Sequence, residues 1–77
     1  MRDMGIEMKI MDSVEFGTQI RKRRKSLNYT QSYLAEFSGL SVSFISDVER
    51  GKATAELGKV LYLVSLLGLD LELTVRK

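Results

Sequence analysis

Residues 29–52, YTQSYLAEFSGLSVSFISDVERGK, contain two short stretches of helical periodicity that are separated by only a few residues around Gly39. Thr30 is a good N-cap for a helix over residues 31–38, because its side-chain oxygen can accept a hydrogen bond from the first turn. Gly39 can adopt the left-handed conformation that ends this helix. Ser41 can cap a second helix over residues 42–50, which Gly51 ends. The spacing therefore predicts a helix-turn-helix.

The second of these helices is predicted to be polar on its outer face, with Ile45 and Val48 pointing inward. In a helix-turn-helix, the second helix enters the DNA major groove. The chain has no His and no Cys, and its glycines are dispersed. The usual proton shuttles, metal ligands, thiol nucleophiles and phosphate-binding glycine loops are therefore missing. We predict a protein that is not an enzyme, with no catalytic residues, no metal site and no cofactor.

The length of 77 residues predicts one small domain with a thin core. Domains of this size often need disulfides, a metal or a partner subunit for stability, and without Cys the partner subunit is the route that remains. The N-terminus carries acidic residues and resembles no signal peptide. The longest apolar run, residues 60–64, is too short to span a membrane. We therefore expect a cytoplasmic protein.

A first helix is predicted over residues 14–26, capped by Asp12 or Ser13 and ended by Asn28. Its inward face contains Phe16, Ile20, Arg24 and Leu27. A fourth helix is predicted over residues 55–67, capped by Thr54 and ended by Gly68. Its inward stripe is predicted to contain Leu57, Val60, Leu61 and Val64. Because Tyr62, Leu63 and Leu66 lie outside that stripe, this helix is either central in the bundle or faces a second subunit.

Residues 69–75, LDLELTV, alternate between apolar and polar side chains, which predicts a strand. A lone strand leaves its backbone groups unpaired, so its partner is either residues 6–10 or the same strand of a second subunit. The second option gives a symmetric dimer. The predicted dimerisation residues are Leu63, Leu66, Leu69, Leu71, Leu73 and Val75. Residues 1–12 then form an arm or short strand, residues 13–68 the DNA-binding domain and residues 69–77 the dimerisation strand.

The net charge of +2 hides a clustered distribution, because residues 21–25 are five consecutive cations. Arg50 and Lys52 add two more at the end of the second short helix. Clustered cations favour a polyanion as partner. Consecutive residues point around a helix, so only one or two of Arg21, Lys22, Arg23 and Lys25 can face DNA. The others are free for another acidic surface.

From about residue 14 to residue 77 the chain resembles the Xre/Cro family of helix-turn-helix regulators. The motifs that carry the resemblance are IR–xx–R from Ile20, TQ–xx–LA from Thr30, GLS from Gly39, IS at Ile45 and ERGK from Glu49. The resemblance implies an all-α, four- to five-helix, lambda-repressor-like domain with a C-terminal β-strand that pairs across a dimer. The tail looks more specifically like the HipB-like branch. HipB-like proteins are antitoxins that bind a HipA-type kinase toxin and repress their own operon.

The resemblance also implies roles for individual residues. The amide of Gln31 contacts a DNA phosphate, and Arg24 and Glu49 form a structural ion pair. Independently of the resemblance, the positions of Arg50 and Lys52 at the end of the second short helix and in the following loop predict phosphate contacts. The implied base-reading positions on the second short helix are Ser41, Val42, Ser43, Ser46 and Asp47. Phe44, a large apolar residue on the same helix, is predicted to pack either against the DNA backbone or against the turn between the helices. None of the base-reading residues is Arg, Gln or Asn, which make bidentate base contacts, so specificity would rest on half-site spacing and DNA shape.

The predicted function is a dimeric, sequence-specific DNA-binding repressor that recognises an inverted repeat and has a HipA-like kinase toxin as a further partner. Two alternatives stay open. The chain could act as a stand-alone Xre-type regulator, or as a protein-interaction module that kept the fold without reading DNA. The weak base-reading positions favour the second of these, and salt-dependent DNA binding would count against it.

Overall fold

The computed structural model describes residues 9–76, and this part of the chain contains four helices and no strand. The helices are α1 (Ser13–Ser26), α2 (Gln31–Ser38), α3 (Val42–Glu49) and α4 (Leu57–Leu66). The all-α fold class with a lambda-repressor-like helix-turn-helix is confirmed. None of the helices in the described range is both long and apolar enough to cross a membrane.

α2 and α3 begin where the sequence predicts and α1 begins one residue earlier, and each of these helices has a local side-chain cap. The Asp12 carboxylate accepts a hydrogen bond from Glu15 N at 2.8 Å. The Thr30 hydroxyl accepts from Tyr33 N at 3.0 Å, and the Ser41 hydroxyl accepts from Phe44 N at 2.9 Å. Each of these bonds satisfies an amide of the first turn that has no partner within its helix. Gly39 then ends α2 in the left-handed conformation, with φ +80°.

The predicted start of the fourth helix is wrong by two residues, and Thr54 does not cap it. Its N-cap is Glu56, which makes no side-chain capping bond. The chain leaves α3 through Gly51, whose φ is +89°, and Lys52 N then donates to the Asp47 carbonyl at 2.9 Å. Residues 53–54 form a further turn. Residues 55 and 56, which the sequence pattern assigned to the first turn of α4, therefore belong to the connection between α3 and α4.

The buried core contains one or more residues of every helix together with Leu67: Ile20, Leu34, Ile45, Val48, Leu63, Val64 and Leu67. The inward positions predicted for α1 and α3 are confirmed. Of the four positions predicted for α4, Val64 is buried and Val60 packs against the core, whereas Leu57 is 68% exposed and Leu61 is 43% exposed. Leu63 is fully buried, so it belongs to the core and is removed from the predicted dimerisation residues. Because α4 is apolar on several faces, hydrophobic periodicity alone could not select the buried one.

α1 and α3 approach so closely that only glycine fits at the crossing. A Cβ atom added at Gly17 would lie 2.3 Å from the Val48 carbonyl oxygen and 2.7 Å from that of Glu49. Real Cβ atoms do not come this close to backbone atoms. The backbone of α1 therefore rests directly against the last turn of α3, and this contact fixes the position of the second helix of the motif.

The C-terminal segment, residues 69–76, follows Gly68 and forms no regular structure in the single chain. Leu69 packs against the core, but Leu73 and Val75 are 99% and 94% exposed. The other predicted partner of this strand was residues 6–10. Residues 6–8 lie outside the described range, and Lys9 and Ile10 are not in a strand. The predicted strand thus has no partner within the described part of one chain, which leaves its alternating apolar side chains uncovered.

Candidate nucleic-acid interface

The N-terminal half of α3 presents small side chains to solvent. Ser41, Val42 and Ser43 are exposed, and Ser46 is half-buried one turn later. The Ser41 hydroxyl is engaged as the cap of α3, whereas those of Ser43 and Ser46 form no hydrogen bond within the described range. The hydroxyl groups can donate to or accept from a base edge, and Val42 can contact a thymine methyl. This face can therefore lie close to a base-pair edge without steric hindrance.

The C-terminal end of α3 carries two cations that share one carboxylate. Arg50 Nη2 lies 2.7 Å from Asp47 Oδ1, and Lys52 Nζ lies 3.5 Å from Asp47 Oδ2. The side chains of Arg50 and Lys52 nevertheless remain largely exposed. A guanidinium has five N–H donors and an ammonium three, so both cations keep donors for a phosphate. Asp47 is turned toward these cations, which makes it a positioning residue for them.

A buried polar network joins α1, α2 and α3. Arg24 donates from Nε to Glu49 Oε2 at 2.6 Å, and from Nη2 to Oε1 at 3.0 Å. A third donor, Arg24 Nη1, reaches the Tyr29 carbonyl oxygen at 2.7 Å. Gln31 Nε2 completes the set by donating to Glu49 Oε1 at 3.0 Å. The network places the side chain of Gln31 at the start of α2 and ties that start to the end of α3.

The contact between Gln31 and Glu49 was missed by the sequence reasoning, which gave Gln31 only a phosphate. No local pattern indicates it, since the two residues are 18 positions apart. The amide nitrogen of glutamine has a second N–H. Gln31 can therefore keep its bond to Glu49 and still donate to a phosphate in front of α2, where the helix dipole also favours an anion.

Phe44 lies on α3 but packs inward. Its ring is half-buried against the core, and Lys59 Nζ of α4 lies 5.8 Å from the ring centroid. This distance is within the range of a cation–π contact. The structure thus places Phe44 in a packing position, which is one of the two roles that the sequence left open for it.

The run of five cations divides into inward and outward residues. Arg24 is buried in its network with Glu49, and Arg23 Nε donates to the Leu67 carbonyl oxygen at 2.7 Å. Arg23 therefore stabilises the C-terminal end of α4, a role that the sequence reasoning missed. Arg21, Lys22 and Lys25 remain exposed on the surface of α1.

The chain has two short helices joined by a glycine turn, and α3 exposes a polar face near Gln31 and Arg50. This arrangement defines a helix-turn-helix protein. The chain matches the HTH_3 helix-turn-helix family over residues 20–73. It is 37% identical, over 65 residues, to an uncharacterized HTH-type transcriptional regulator, y4mF, of Sinorhizobium fredii, and the match covers 84% of this chain and 86% of the relative. The chain therefore belongs to the HTH_3 helix-turn-helix family.

Solved structures of other proteins share the fold. A chain of a HipA–HipB–O2–O3 complex superposes with a TM-score of 0.83 at 24% identity, and the match covers 92% of this chain and 100% of that one. The restriction-modification controller protein C.AhdI from Aeromonas hydrophila gives a TM-score of 0.65 at 35% identity, covering 74% of this chain and 86% of that one. The resemblance to Xre/Cro regulators is thereby confirmed, and the HipB-like branch is matched in fold.

Proposed function

We propose that this chain is a dimeric, sequence-specific DNA-binding repressor whose α3 enters the major groove. The observation that carries the proposal is the small polar face at the start of α3, together with Arg50, Lys52 and the Glu49-bound amide of Gln31 at the end of the same helix. The family relative y4mF, an HTH-type transcriptional regulator, supports the same class of function. Repression is steric, through occupation of a promoter, and the proposal includes no catalytic activity. A cytoplasmic location follows from this function.

Base readout by α3 rests on short side chains. The hydroxyls of Ser43 and Ser46 and the methyl groups of Val42 contact base edges, and Gln31, Arg50 and Lys52 contact phosphates. Because short hydroxyls discriminate bases less strongly than bidentate Arg or Gln contacts, the distance between half-sites and the shape of the DNA supply the rest of the specificity. A dimer places its two recognition helices about 34 Å apart, so the target is an inverted repeat.

Dimerisation is assigned to residues 69–77 together with the end of α4. The contact residues are Leu66 of α4 and Leu69, Leu71, Leu73 and Val75 of the segment. The support is the high exposure of Leu73 and Val75 on a segment that has no strand partner in the described part of its own chain. Pairing with the same segment of a second copy would satisfy the backbone groups and cover these side chains. In this arrangement residues 13–68 form the DNA-binding domain and residues 1–12 an arm.

Replacing Leu73 and Val75 with Asp is expected to weaken dimerisation by at least tenfold, because four carboxylates would meet in one dimer interface. The measurement is sedimentation equilibrium across a range of protein concentrations. The matched control is Leu57→Asp with Leu61→Asp, which adds the same charge to exposed positions of α4. A Leu73/Val75 variant that stays as tight a dimer as the wild type would contradict the assigned interface.

We infer further that the regulator is the antitoxin of a HipA-type kinase toxin and represses its own operon. The support is the fold shared with a chain of the HipA–HipB–O2–O3 complex, together with the HipB-like tail of the sequence. The test has two parts. The protein should retard a duplex from the region upstream of its own gene, and it should co-purify with the product of an adjacent kinase gene. Retardation without a kinase partner would leave a stand-alone regulator, and a partner without retardation would leave a protein-interaction module.

Replacing Arg50 and Lys52 with Ala is expected to weaken binding to all DNA sequences by a similar factor. Removing one phosphate contact should reduce the slope of log K against log salt concentration by about 0.9. Fluorescence anisotropy on a specific and on a scrambled duplex, between low and moderate salt, measures both quantities. A weakening confined to the specific duplex would contradict the phosphate role, because phosphate contacts do not depend on sequence.

A further inference from the structure

A basic cleft of about 440 Å³ lies between the outer surface of α1 and the C-terminal end of α3. Its lining residues are Thr18, Arg21, Lys22, Lys25, Glu49 and Arg50. The four residues from α1 recur at helical spacing, three and four residues apart, so they share one face of the helix. The cleft therefore gathers the three outward cations of the basic run into one place.

Of the four cations that line this basic cleft, Arg50 is paired with Asp47. Within the described range, no carboxylate forms a salt bridge with Arg21, Lys22 or Lys25. Of the residues that line the cleft, Glu49 alone carries a carboxylate, and both of its oxygens already accept hydrogen bonds from Arg24 or Gln31. Three exposed cations thus face one shared space, an arrangement that favours the binding of an anion there.

The position of the basic cleft joins it to the proposed DNA interface. Gln31, at the start of α2, donates to Glu49 in the wall of the cleft, and Arg50 belongs both to the cleft and to the proposed phosphate contacts. The close contact at Gly17 holds α1 against α3, so the two walls keep a fixed separation. A polyanion that follows Gln31 and Arg50 would therefore pass directly in front of Arg21, Lys22 and Lys25.

We propose that the basic cleft binds the sugar–phosphate backbone of the DNA whose bases α3 reads. Arg21, Lys22 and Lys25 make these phosphate contacts, three cations where the sequence predicted only one or two facing DNA. They lengthen the contact with DNA beyond the helix-turn-helix itself. An ammonium and a guanidinium both bind phosphate oxygens through charge-assisted hydrogen bonds. The inference rests on the proposed DNA binding and adds to it a second, sequence-independent set of contacts.

The test compares two double variants that remove the same charge from lysines at different places. Lys22→Gln with Lys25→Gln alters the basic cleft, whereas Lys9→Gln with Lys59→Gln alters exposed lysines that do not line it. The probe is a duplex selected by the wild-type protein, and the readout is the slope of log K against log salt concentration. The slope of the cleft variant should fall by about 0.9 for each phosphate that the two lysines bind, and the control variant should keep the wild-type slope. Circular dichroism melts of both variants test whether they are folded.

Three outcomes would overturn the proposal, and they are distinguishable. If the cleft variant keeps the wild-type slope while the wild type binds DNA, the cleft does not contact phosphate and the proposed function stands. If the slope falls equally in both double variants, the effect comes from net charge and not from a site. If the wild type shows no salt-dependent binding to any duplex, the proposed function fails together with the cleft. If the first outcome is found, the affinity of both proteins for a polyglutamate peptide is measured. Weaker binding by the cleft variant than by the wild type would indicate that the cleft binds an acidic protein instead of DNA.

Discussion

Replacing Glu49 with Ala is expected to lower the free energy of unfolding by about 3–5 kcal/mol, because the substitution leaves a buried guanidinium without its counter-ion. The side chain of Arg24 is only 8% exposed, and it donates to Glu49 through two nitrogens. The amide of Gln31 loses its partner as well. A decrease of this size is a large part of the total stability of a small domain. Urea unfolding followed by circular dichroism measures it.

Two controls separate a buried charge from the removal of any ion pair. Asp47→Ala removes a pair whose Arg50 side chain is largely exposed, so it should cost about 1 kcal/mol or less. Arg24→Met combined with Glu49→Leu removes both buried charges, and it should recover most of the stability that Glu49→Ala loses. A cost below about 1 kcal/mol for Glu49→Ala, or a double variant no more stable than that single one, would contradict the role given to the network.

Replacing Gly17 with Ala is expected to cost about 3 kcal/mol or more, through steric overlap at the crossing of α1 and α3. The added methyl group would meet two backbone carbonyl oxygens, which cannot move as a flexible side chain would. The helices must separate, and this displaces the end of α3 together with Glu49 and Arg50. We therefore expect weaker DNA binding along with the lower stability, measured by unfolding and by anisotropy on the same samples.

Gly58→Ala is the matched control, since Gly58 also lies in a helix but has no atom within 4 Å of an added Cβ. Alanine has a higher helix propensity than glycine, so this substitution should stabilise the protein by up to about 1 kcal/mol. The two identical substitutions thus have opposite expected signs. If Gly17→Ala also stabilises the protein, α1 and α3 do not cross with their backbones in contact.

The parts of the fold that could be predicted from the sequence are those decided by local chemistry. Asp12, Thr30 and Ser41 cap their helices through bonds to residues three positions away, and Gly39 ends α2 because left-handed backbone favours glycine. α4 was predicted less well because its start has no side-chain cap and its apolar residues surround the helix. The buried face of α4 is set by the packing of Leu63 and Val64 against the other helices. The helical periodicity of the sequence carries no information about that packing.

In the candidate site, too, the features set by local sequence could be predicted, and those set by the packing of the helices could not. The positions along α3 and the pair of Arg24 with Glu49 were available from the family pattern, whose spacing implies their places. The bond from Gln31 to Glu49 and that from Arg23 to the Leu67 carbonyl connect residues 18 and 44 positions apart. Such contacts depend on how the helices pack, so only the structure shows that two of the five consecutive cations are inward and three share the basic cleft.

Selection of binding sites from a random duplex pool, with the salt dependence of the winning sequence, tests DNA reading by α3 most directly. We expect an enriched inverted repeat whose half-sites are about one helical turn apart, and a salt slope of several. The same selection with Ser43→Ala and Ser46→Ala should give a weaker or altered consensus at an unchanged salt slope. No enrichment and little salt dependence for the wild type would contradict a DNA-binding repressor and would leave a protein-interaction module.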